Sequence, residues 1–376
     1  MSADTSNIID KATEDKCREA MAQFELGGHE VCDITQHHFG HINDTYFITM
    51  KSGGVKRYVL QRINANVFKK PLELLENVKN VTEYLRDIII KNNGDPDRET
   101  LNLIWTKDNN YYYQSGDEYW RLYNFIEGAT AYQTVENPAH FYNAGRAFGR
   151  FQGLLVGFNA AGLHDTIPDF HNTRKRIETF KSVLAKDTQG RAAEVADEVE
   201  FVLARQDEMC QISDALRSGE LPVRVTHNDT KFNNVMIDDV TGEGICVIDL
   251  DTIMSGSSLF DYGDAIRFGA SSAAEDEKDL DKVYVDLKLY ELFTRGFLET
   301  TKDSLTKKEL EMFPLGAKTM TFECGTRFLT DYLDGDNYFK TRYPGHNLDR
   351  CRTQFKLVRD MESKWDEMAR IISELL

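Results

Sequence analysis

The sequence is short of cysteine, of proline and of long apolar runs. It holds 6 cysteines and 7 prolines in 376 residues, and no two cysteines form a C-x-x-C pair. Because so few cysteines cannot build a disulfide framework in a chain of this length, we expect reduced thiols and a cytoplasmic protein. No apolar run is long enough for a membrane-spanning helix, so none is expected. The opening residues also lack an apolar stretch, and no secretory signal is expected.

Positive charge is scarce as well. Lys and Arg total 45 against 62 Asp and Glu, which gives a formal net charge of −17. Such a protein repels a phosphate backbone at long range, so a nucleic-acid partner is not expected. An anionic ligand must instead meet a local cationic or metal-bearing site. The sequence has neither a Walker A motif nor a complete G-x-G-x-x-G, which leaves a P-loop or Rossmann nucleotide site unsupported.

What the sequence does contain is the composition of a globular protein. Hydrophobic residues make up 41%, charged residues 28% and aromatic residues 11%, which excludes extensive disorder. At about 150 residues per domain, the length predicts roughly two domains. Since no flexible linker rich in Pro, Gly or Ser is visible, we expect two closely joined lobes, residues 1–125 and residues 126–376.

The first lobe is predicted to be mainly β-structure. Residues 45–50 and 56–63 are rich in β-branched and aromatic side chains, and the Gly-containing segment between them predicts a hairpin. Apolar residues at helical spacing predict a helix that starts at Pro71. Three further strands are predicted at residues 101–105, 110–114 and 119–125. The expected lobe therefore has five strands and one helix.

The second lobe is predicted to be mainly helical. Helices are expected over residues 141–158, 174–184 and 191–216, and over most of the chain after residue 280. Short strands are expected at residues 223–226, 235–237 and 245–248. The last two are joined by a turn around Gly242.

One loop of this lobe carries a specific set of polar residues. His227, Asp229, Lys231 and Asn234 follow a short strand, and Asp249 follows the predicted hairpin. The hairpin should bring Asn234 and Asp249 side by side as oxygen ligands for Mg²⁺. Asp229 can accept the proton of an incoming hydroxyl, and Lys231 can place a cation on a transferring phosphate. His227 is expected to brace the loop rather than to act in catalysis.

This pattern resembles that of the aminoglycoside phosphotransferase and choline kinase superfamily, which shares the protein-kinase fold. Upstream, GHINDTY at residues 40–46 matches the G-x-x-N-x-x-Y nucleotide loop of that superfamily. Downstream, FDYGD at residues 260–264 matches a signature whose Asp is usually structural. Within the superfamily the chain resembles the N-acetylhexosamine 1-kinases over nearly its whole length. That resemblance also rests on residues 224–234, 248–254, 267–270 and 323–328.

The resemblance implies a fold and an activity. The expected fold is α+β and bilobal, like a protein kinase, with a five-stranded antiparallel N-terminal sheet, one helix and a larger helical C-terminal lobe. The expected reaction uses ATP and Mg²⁺ to convert GlcNAc or GalNAc into its 1-phosphate. Asp229 would be the catalytic base, helped by Lys231, and Asn234 and Asp249 would hold Mg²⁺. Nucleotide would bind the first lobe, and the acceptor would bind the second.

The resemblance also implies which residues contact the two substrates. A hinge at residues 122–127 would meet the adenine, although its two aromatic residues could equally be ordinary β-core. The implied nucleotide contacts are Gly40, His41, Asn43, Thr45, Gln61, Tyr123 and Phe125. An acceptor sugar needs polar groups around one apolar wall. The candidate contacts for it are His41, Asp229, Phe268, Arg327 and Tyr338.

One position departs from the superfamily pattern. Kinase-fold enzymes usually carry a lysine on the third strand that pairs with the α and β phosphates, but the matching residue here is Gln61, followed by Arg62. Successive strand side chains point to opposite faces, so only one of the two can face the nucleotide. The sequence leaves both open, and with them an acidic partner on the following helix such as Glu73 or Glu76.

Two alternative functions stay open at this point. The acidic surface suits a cationic acceptor, so the chain could be an aminoglycoside, choline or homoserine kinase. The neutral Gln61 is the one feature that favours a pseudokinase that binds nucleotide without transferring phosphate. The sequence does not distinguish GlcNAc from GalNAc, and it does not give the oligomeric state.

Overall fold

The computed structural model describes residues 9–37, 42–51 and 56–376, and the chain divides into two compact units. The first unit comprises Met1–Ala129, His164–Ile167 and Ile245–Ile253. The second comprises Thr130–Leu163, Pro168–Gly244 and Met254–Leu376. Two short segments from later in the chain thus belong to the first unit. The sequence-based boundary between residues 125 and 126 stays a prediction.

A five-stranded antiparallel sheet forms the centre of the first unit, with strand order β1-β2-β3-β5-β4. The strands are β1 Glu30–His37, β2 Asp44–Lys51, β3 Lys56–Arg62, β4 Tyr113–Ser115 and β5 Glu118–Asn124. The predicted strands at residues 45–50, 56–63 and 119–125 and the antiparallel pairing of β2 with β3 are confirmed, whereas the strand predicted at residues 110–114 overlaps β4 only at residues 113 and 114. The predicted strand at residues 101–105 is wrong, because that segment forms only an isolated bridge from Leu103 to Tyr123. The remaining strand of the sheet, β1, was not predicted.

The side chains of the sheet alternate between two different faces. On one face Tyr46, Ile48, Leu60, Trp120 and Leu122 are buried in one apolar core with residues of an N-terminal helix. The opposite face carries polar groups, among them Thr45, Gln61 and Arg121. This period of two is the one that strand geometry imposes.

The helices of the first unit are α1 Lys11–Met21, α2 Pro71–Lys91 and the short α3 Pro96–Glu99. Helix α2 confirms the predicted helix that starts at Pro71, whereas α1 was not expected. Asp10 caps α1 by accepting the backbone N–H of Thr13 at 2.8 Å. In α2, Asn77 Nδ2 donates to the carbonyl oxygens of His164 and Ile253, at 2.8 and 3.0 Å. The buried side chain of Asn77 thereby links α2 to the two later segments of the first unit, His164–Ile167 and Ile245–Ile253.

The rest of the chain is mainly helical. Its helices are α4 Pro138–Leu154, α5 Thr173–Lys186, α6 Ala196–Met209, α7 Gln211–Ser218, α8 Ser258–Gly269, α9 Leu287–Thr301, α10 Lys307–Glu311, α11 Phe313–Asp334, α12 His346–Ser363 and α13 Trp365–Leu375. The short strands are β6 Ala129–Thr130, β7 Arg224–Thr226, β8 Val235–Asp238, β9 Gly244–Val247 and β10 Met254–Gly256. Together with the sheet, these elements confirm an α+β fold with a larger helical part.

Helix α11 lies at the centre of the second unit. It is buried on nearly all sides and packs against α5, α8 and α12, as a helix inside a domain should. The predicted helices at residues 141–158 and 174–184 correspond to α4 and α5. The segment 191–216, predicted as one helix, is divided into a 3₁₀ turn, α6 and α7. Within the described part of the chain, no helix combines the length and apolarity needed to cross a membrane.

Helices α4 and α9 approach closely because glycines line their contact. A Cβ atom added at Gly145 would lie 2.4 Å from the carbonyl oxygen of Phe293. We therefore expect Gly145→Ala to lower the free energy of unfolding by about 2–4 kcal/mol, measured by urea denaturation.

The matched control is Gly153→Ala in the same helix, where the nearest atom to the new Cβ is Thr300 O at 3.2 Å. The control should cost much less, because its neighbour need move only slightly. An increase in stability for Gly145→Ala, as alanine gives in an open helix, would contradict the close packing of these helices.

Candidate active site

Three of the predicted catalytic and metal-binding residues converge in the loop after β7. Lys231 Nζ lies 2.8 Å from Asp229 Oδ1. Asn234 Nδ2 donates to the backbone oxygen of Asp229 at 2.8 Å and to its Oδ2 at 3.3 Å. Each carboxylate oxygen of Asp229 thus has its own donor. The amide nitrogen of Asn234 makes these contacts, so its Oδ1 is not used on Asp229.

The environment of Asp229 keeps its carboxylate ionised. Burial raises the pKa of an acid, but the Lys231 ammonium outweighs that effect, and the pKa of Asp229 is lowered. Burial lowers the pKa of Lys231, and Asp229 more than compensates, so the pKa of Lys231 is raised. The side chains of Asp229 and Lys231 are still 25% and 29% exposed. A charged carboxylate with an open side is able to orient a hydroxyl and take its proton.

The buried side chain of Asp261, in the first turn of α8, holds this loop in shape. Its carboxylate accepts the backbone N–H groups of His227 at 3.0 Å and of Asn228 at 2.8 Å. It also accepts Gln152 Nε2 at 2.7 Å, and its backbone oxygen accepts the Thr230 hydroxyl. Asn228 adopts a left-handed conformation with φ of 65°. Asp261 therefore has the structural role that its sequence signature implied.

Two histidines brace the same loop from inside. The ring of His227 is fully buried, stands edge-on to Phe148, and accepts the backbone N–H of Asp229 through Nδ1 at 3.2 Å. This geometry agrees with the bracing role predicted from the sequence. His171 was not predicted, although it contacts the Asn228 carbonyl at 3.0 Å and Glu323 at 2.8 Å. No local spacing links residues so far apart in the chain.

Two of the predicted acceptor contacts lie together elsewhere in the second unit. The guanidinium of Arg327 stands 5.8 Å from the ring of Tyr338, which is 59% exposed. Phe170 and Phe339, which the sequence analysis did not single out, also lie beside it, at 5.0 and 5.4 Å. A cation walled by three aromatic rings offers both hydrogen-bond donors and apolar faces to a ligand.

Charged residues of α8 and α11 act on the pKa values of Lys231 and of the thiol of Cys324. Asp264 and Arg267 both act on the pKa of Lys231. Arg267 pairs with Asp264 at 2.8 Å, and both Arg267 and Arg327 act on the thiol of Cys324, whose pKa burial raises to about 11. Phe268 is half-buried beside Arg267, and within the described residues it makes no ring contact with the Arg327 cluster.

Asp249 and the acid two residues after it belong to the first unit. Asp249 has φ of 60°, a left-handed conformation that is uncommon outside glycine and is often found at functional sites. Asp251 is buried, pairs with Arg121 at 2.5 Å and accepts the amide of Asn43. Its backbone oxygen accepts the Thr166 hydroxyl at 3.0 Å. Asp251 is therefore tied to the sheet through its side chain.

The predicted nucleotide contacts fall into two groups on the sheet. Gln61 Nε2 donates to Thr45 Oγ1 at 3.0 Å, and Asn43 joins the same network through Asp251. Phe125 lies apart, edge-on to Phe47 at 5.3 Å. Tyr123 is buried on the face of Gln61. Gly40 and His41 lie outside the described residues.

Gln61 and Arg62 lie on opposite faces of β3. Arg62 donates to Asp44 at 3.0 Å and to Glu118 at 2.6 Å, on the face opposite to Gln61. Gln61 instead accepts two hydrogen bonds from Arg121. The two acids of α2 pair with other residues. Glu73 pairs with Lys70, and Glu76 pairs with His164.

The Asp261 brace predicts a stability effect. Asp261→Ala would leave two buried backbone N–H groups without an acceptor, so we expect the free energy of unfolding to fall by about 2–4 kcal/mol. Asp261→Asn keeps the shape and one oxygen, and should lose less. Equal unfolding midpoints in urea for Asp261→Ala and the wild type would contradict the brace.

Comparison with known proteins identifies the family and the fold of this chain. The profile of a family described as "Phosphotransferase enzyme family" matches residues 33–290. A microcompartment-associated aminopropanol kinase superposes with a TM-score of 0.61 at 14% identity, over 95% of this chain and 98% of that one. An amicoumacin kinase in complex with AMP-PNP and Ca²⁺ gives 0.56 at 14%, over 97% and 94%.

A choline kinase from Cryptosporidium parvum Iowa II also superposes, with a TM-score of 0.56 at 15% identity over 97% of this chain and 98% of that chain. At these identities the structural matches show a shared kinase-like fold. The family profile spans more than half of the sequence, and it includes the whole segment from Asp229 to Asp249. The chain therefore belongs to the phosphotransferase enzyme family.

Proposed function

We propose that this protein is a kinase that transfers the γ-phosphate of ATP to the anomeric hydroxyl of GlcNAc or GalNAc. The observation that carries the proposal is the Asp229 carboxylate, kept ionised by Lys231 and held by Asn234 on a braced loop. Family membership supports phosphoryl transfer to a small acceptor. The choice of an N-acetylhexosamine rests on the sequence resemblance over nearly the whole chain.

The proposed reaction gives each group of the loop one task. Asp229 orients the anomeric hydroxyl and takes its proton as the hydroxyl oxygen attacks the γ-phosphorus. The bond from the γ-phosphorus to its bridging oxygen breaks, and ADP leaves with that oxygen. Lys231, whose ammonium lies 2.8 Å from the Asp229 carboxylate, offsets the negative charge on the transferring phosphate.

A divalent cation, which we propose to be Mg²⁺, fits the donors available. Asn234 presents an amide oxygen that is not used on Asp229, and Asp249 presents a carboxylate after the predicted hairpin. Hard oxygen donors that leave most positions to water and phosphate are what Mg²⁺ requires. When bound, the ion would neutralise charge on the nucleotide phosphates.

We assign nucleotide binding to the polar face of the sheet and acceptor binding to the second unit. The proposed nucleotide contacts are Gly40, His41, Asn43, Thr45, Gln61, Tyr123 and Phe125. The proposed acceptor contacts besides Asp229 are His41, Phe268, Arg327 and Tyr338. The aromatic walls around Arg327 support this side most directly, because a sugar ring stacks on such walls while its hydroxyls accept from the guanidinium. All six cysteines are free thiols, which favours a cytoplasmic location.

A second candidate is a kinase of a cationic acceptor, such as an amino alcohol or an aminoglycoside. The formal charge of −17 favours it, and the similar structures include an aminopropanol kinase and a choline kinase. The cluster around Arg327 argues against it, since a guanidinium at the acceptor site repels a second cation.

An acceptor panel tests the proposal. GlcNAc, GalNAc, choline, aminopropanol and an aminoglycoside are incubated with ATP and Mg²⁺, ADP release is followed, and the new phosphate is located by ³¹P NMR. We expect turnover with the N-acetylhexosamines and phosphate on the anomeric oxygen. Chelation of the metal by EDTA should abolish turnover.

Asp229→Asn is the matched control for background hydrolysis, because it keeps the shape and removes the base. Its turnover should fall by about 10²–10⁴-fold. Phosphate at C6, or turnover of choline but not of any sugar, would contradict the proposal. No turnover with any acceptor would contradict the wider kinase assignment as well.

A further inference from the structure

The face of the sheet that is proposed to bind nucleotide holds a buried arginine that the sequence analysis did not single out. Arg121 on β5 is the direct cross-strand partner of Gln61 on β3. Its side chain is 1% exposed. A guanidinium is rarely buried to this degree without a set of partners that fixes it.

Two nitrogens of the Arg121 guanidinium have partners within the first unit. Nε and NH2 donate to Gln61 Oε1 at 3.0 and 2.8 Å, and NH2 also lies 2.5 Å from Asp251 Oδ1. Gln61 is fixed in turn, because its Nε2 donates to Thr45. The neutral residue at the expected lysine position therefore acts as a hydrogen-bonded support for a cation on the neighbouring strand.

The third nitrogen, NH1, is buried and has no hydrogen-bond partner within the described residues. The buried hydroxyl of Tyr123, on the same face, lacks one too, and the Arg121 guanidinium lies 5.1 Å from its ring. Buried donors without acceptors are costly and rare, so two on one face indicate that a ligand with acceptor oxygens completes them. An arginine donor is suited to a phosphate oxygen.

The acid that pairs with Arg121 also differs in position from the acid that the superfamily resemblance implies. Glu73 and Glu76 of α2, where the resemblance would put an acid, pair with Lys70 and His164. Arg121 pairs with Asp251 instead, and Asp249 also acts on its charge. The ion pair thus ties the strand cation to the short segment that carries the proposed metal ligand.

We propose that Arg121 is the phosphate-binding cation of this protein, with Gln61 as its support and Asp251 as its acidic partner. This inference rests on the proposed function, because it needs a nucleotide on this face of the sheet. NH1 donates to an oxygen of the α- or β-phosphate, and the pair with Asp251 positions the turn at Asp249. The neutral Gln61 then no longer favours a pseudokinase, since the charge is present on the adjacent strand.

The test compares the affinities of adenosine, ADP and ATP by isothermal titration calorimetry, with thermal unfolding as the measure of folding. Arg121→Gln should weaken ADP and ATP binding by about 10- to 100-fold and leave adenosine nearly unchanged. The control is Arg62→Gln, on the opposite face, whose ion pairs with Asp44 and Glu118 are part-exposed. It should change ATP affinity by less than about twofold.

A double variant keeps the test decisive if Arg121→Gln folds poorly. Gln61→Lys combined with Arg121→Gln moves the cation back to β3, opposite the same acid. It should recover most of the ATP affinity and lower the Michaelis constant for ATP relative to Arg121→Gln alone.

Unchanged ATP affinity in folded Arg121→Gln, equal losses for adenosine and ATP, or no recovery in the double variant would each overturn the role of Arg121. A wild-type protein that binds no nucleotide would overturn the proposed function, and this inference with it. The two failures are therefore distinguishable from the wild-type titration alone.

Discussion

The chemistry proposed for this protein depends on one carboxylate that is buried enough to be held in place and still remains charged. Burial alone would favour the protonated form of Asp229. The Lys231 ammonium reverses that preference, and Asn234 binds the other carboxylate oxygen. The same two partners are the residues proposed to meet the transferring phosphate and the metal. The residues proposed for the base, for phosphate binding and for one metal ligand thus lie within one loop of six residues.

The loop keeps this geometry because buried side chains form hydrogen bonds with its backbone. Asp261 accepts two consecutive N–H groups, His227 accepts the N–H of Asp229, and His171 contacts the Asn228 carbonyl. These buried groups satisfy one another, which is the condition under which a polar network rigidifies a site instead of weakening it. In the first unit, Arg121, Gln61 and Asp251 form a second buried network, in which Arg121 NH1 has no hydrogen-bond partner among the described residues. Two braced polar networks, one in each unit, thus carry the groups proposed for transfer.

Local spacing was enough to predict that three residues of the candidate site lie together. Asp229, Lys231 and Asn234 lie within six residues, so the loop itself brings them together, and the hairpin of β2 and β3 followed from its turn residues. The predictions failed where the signal was weak or distant. Strand β1 has one buried residue, Ile34, and a register shift between Val31 and Asp33, so it shows no clear alternation.

The strand predicted at residues 101–105 was wrong for another reason. A short apolar run does not distinguish a strand from a packed loop. The missed contacts share a different cause. Arg121 meets Asp251 and His171 meets Glu323 across more than a hundred residues, which no local pattern reports.

The central claim is that Asp229 and Lys231 act as one unit, and a double-mutant cycle measures this directly. Single-turnover phosphoryl-transfer rates are compared for the wild type, Asp229→Asn, Lys231→Met and the double variant, on the best acceptor. If the lysine acts with the carboxylate, Lys231→Met should slow the wild type by about 10²-fold or more, yet slow Asp229→Asn by less than about threefold. Losses that multiply in the double variant would show independent roles and contradict the account.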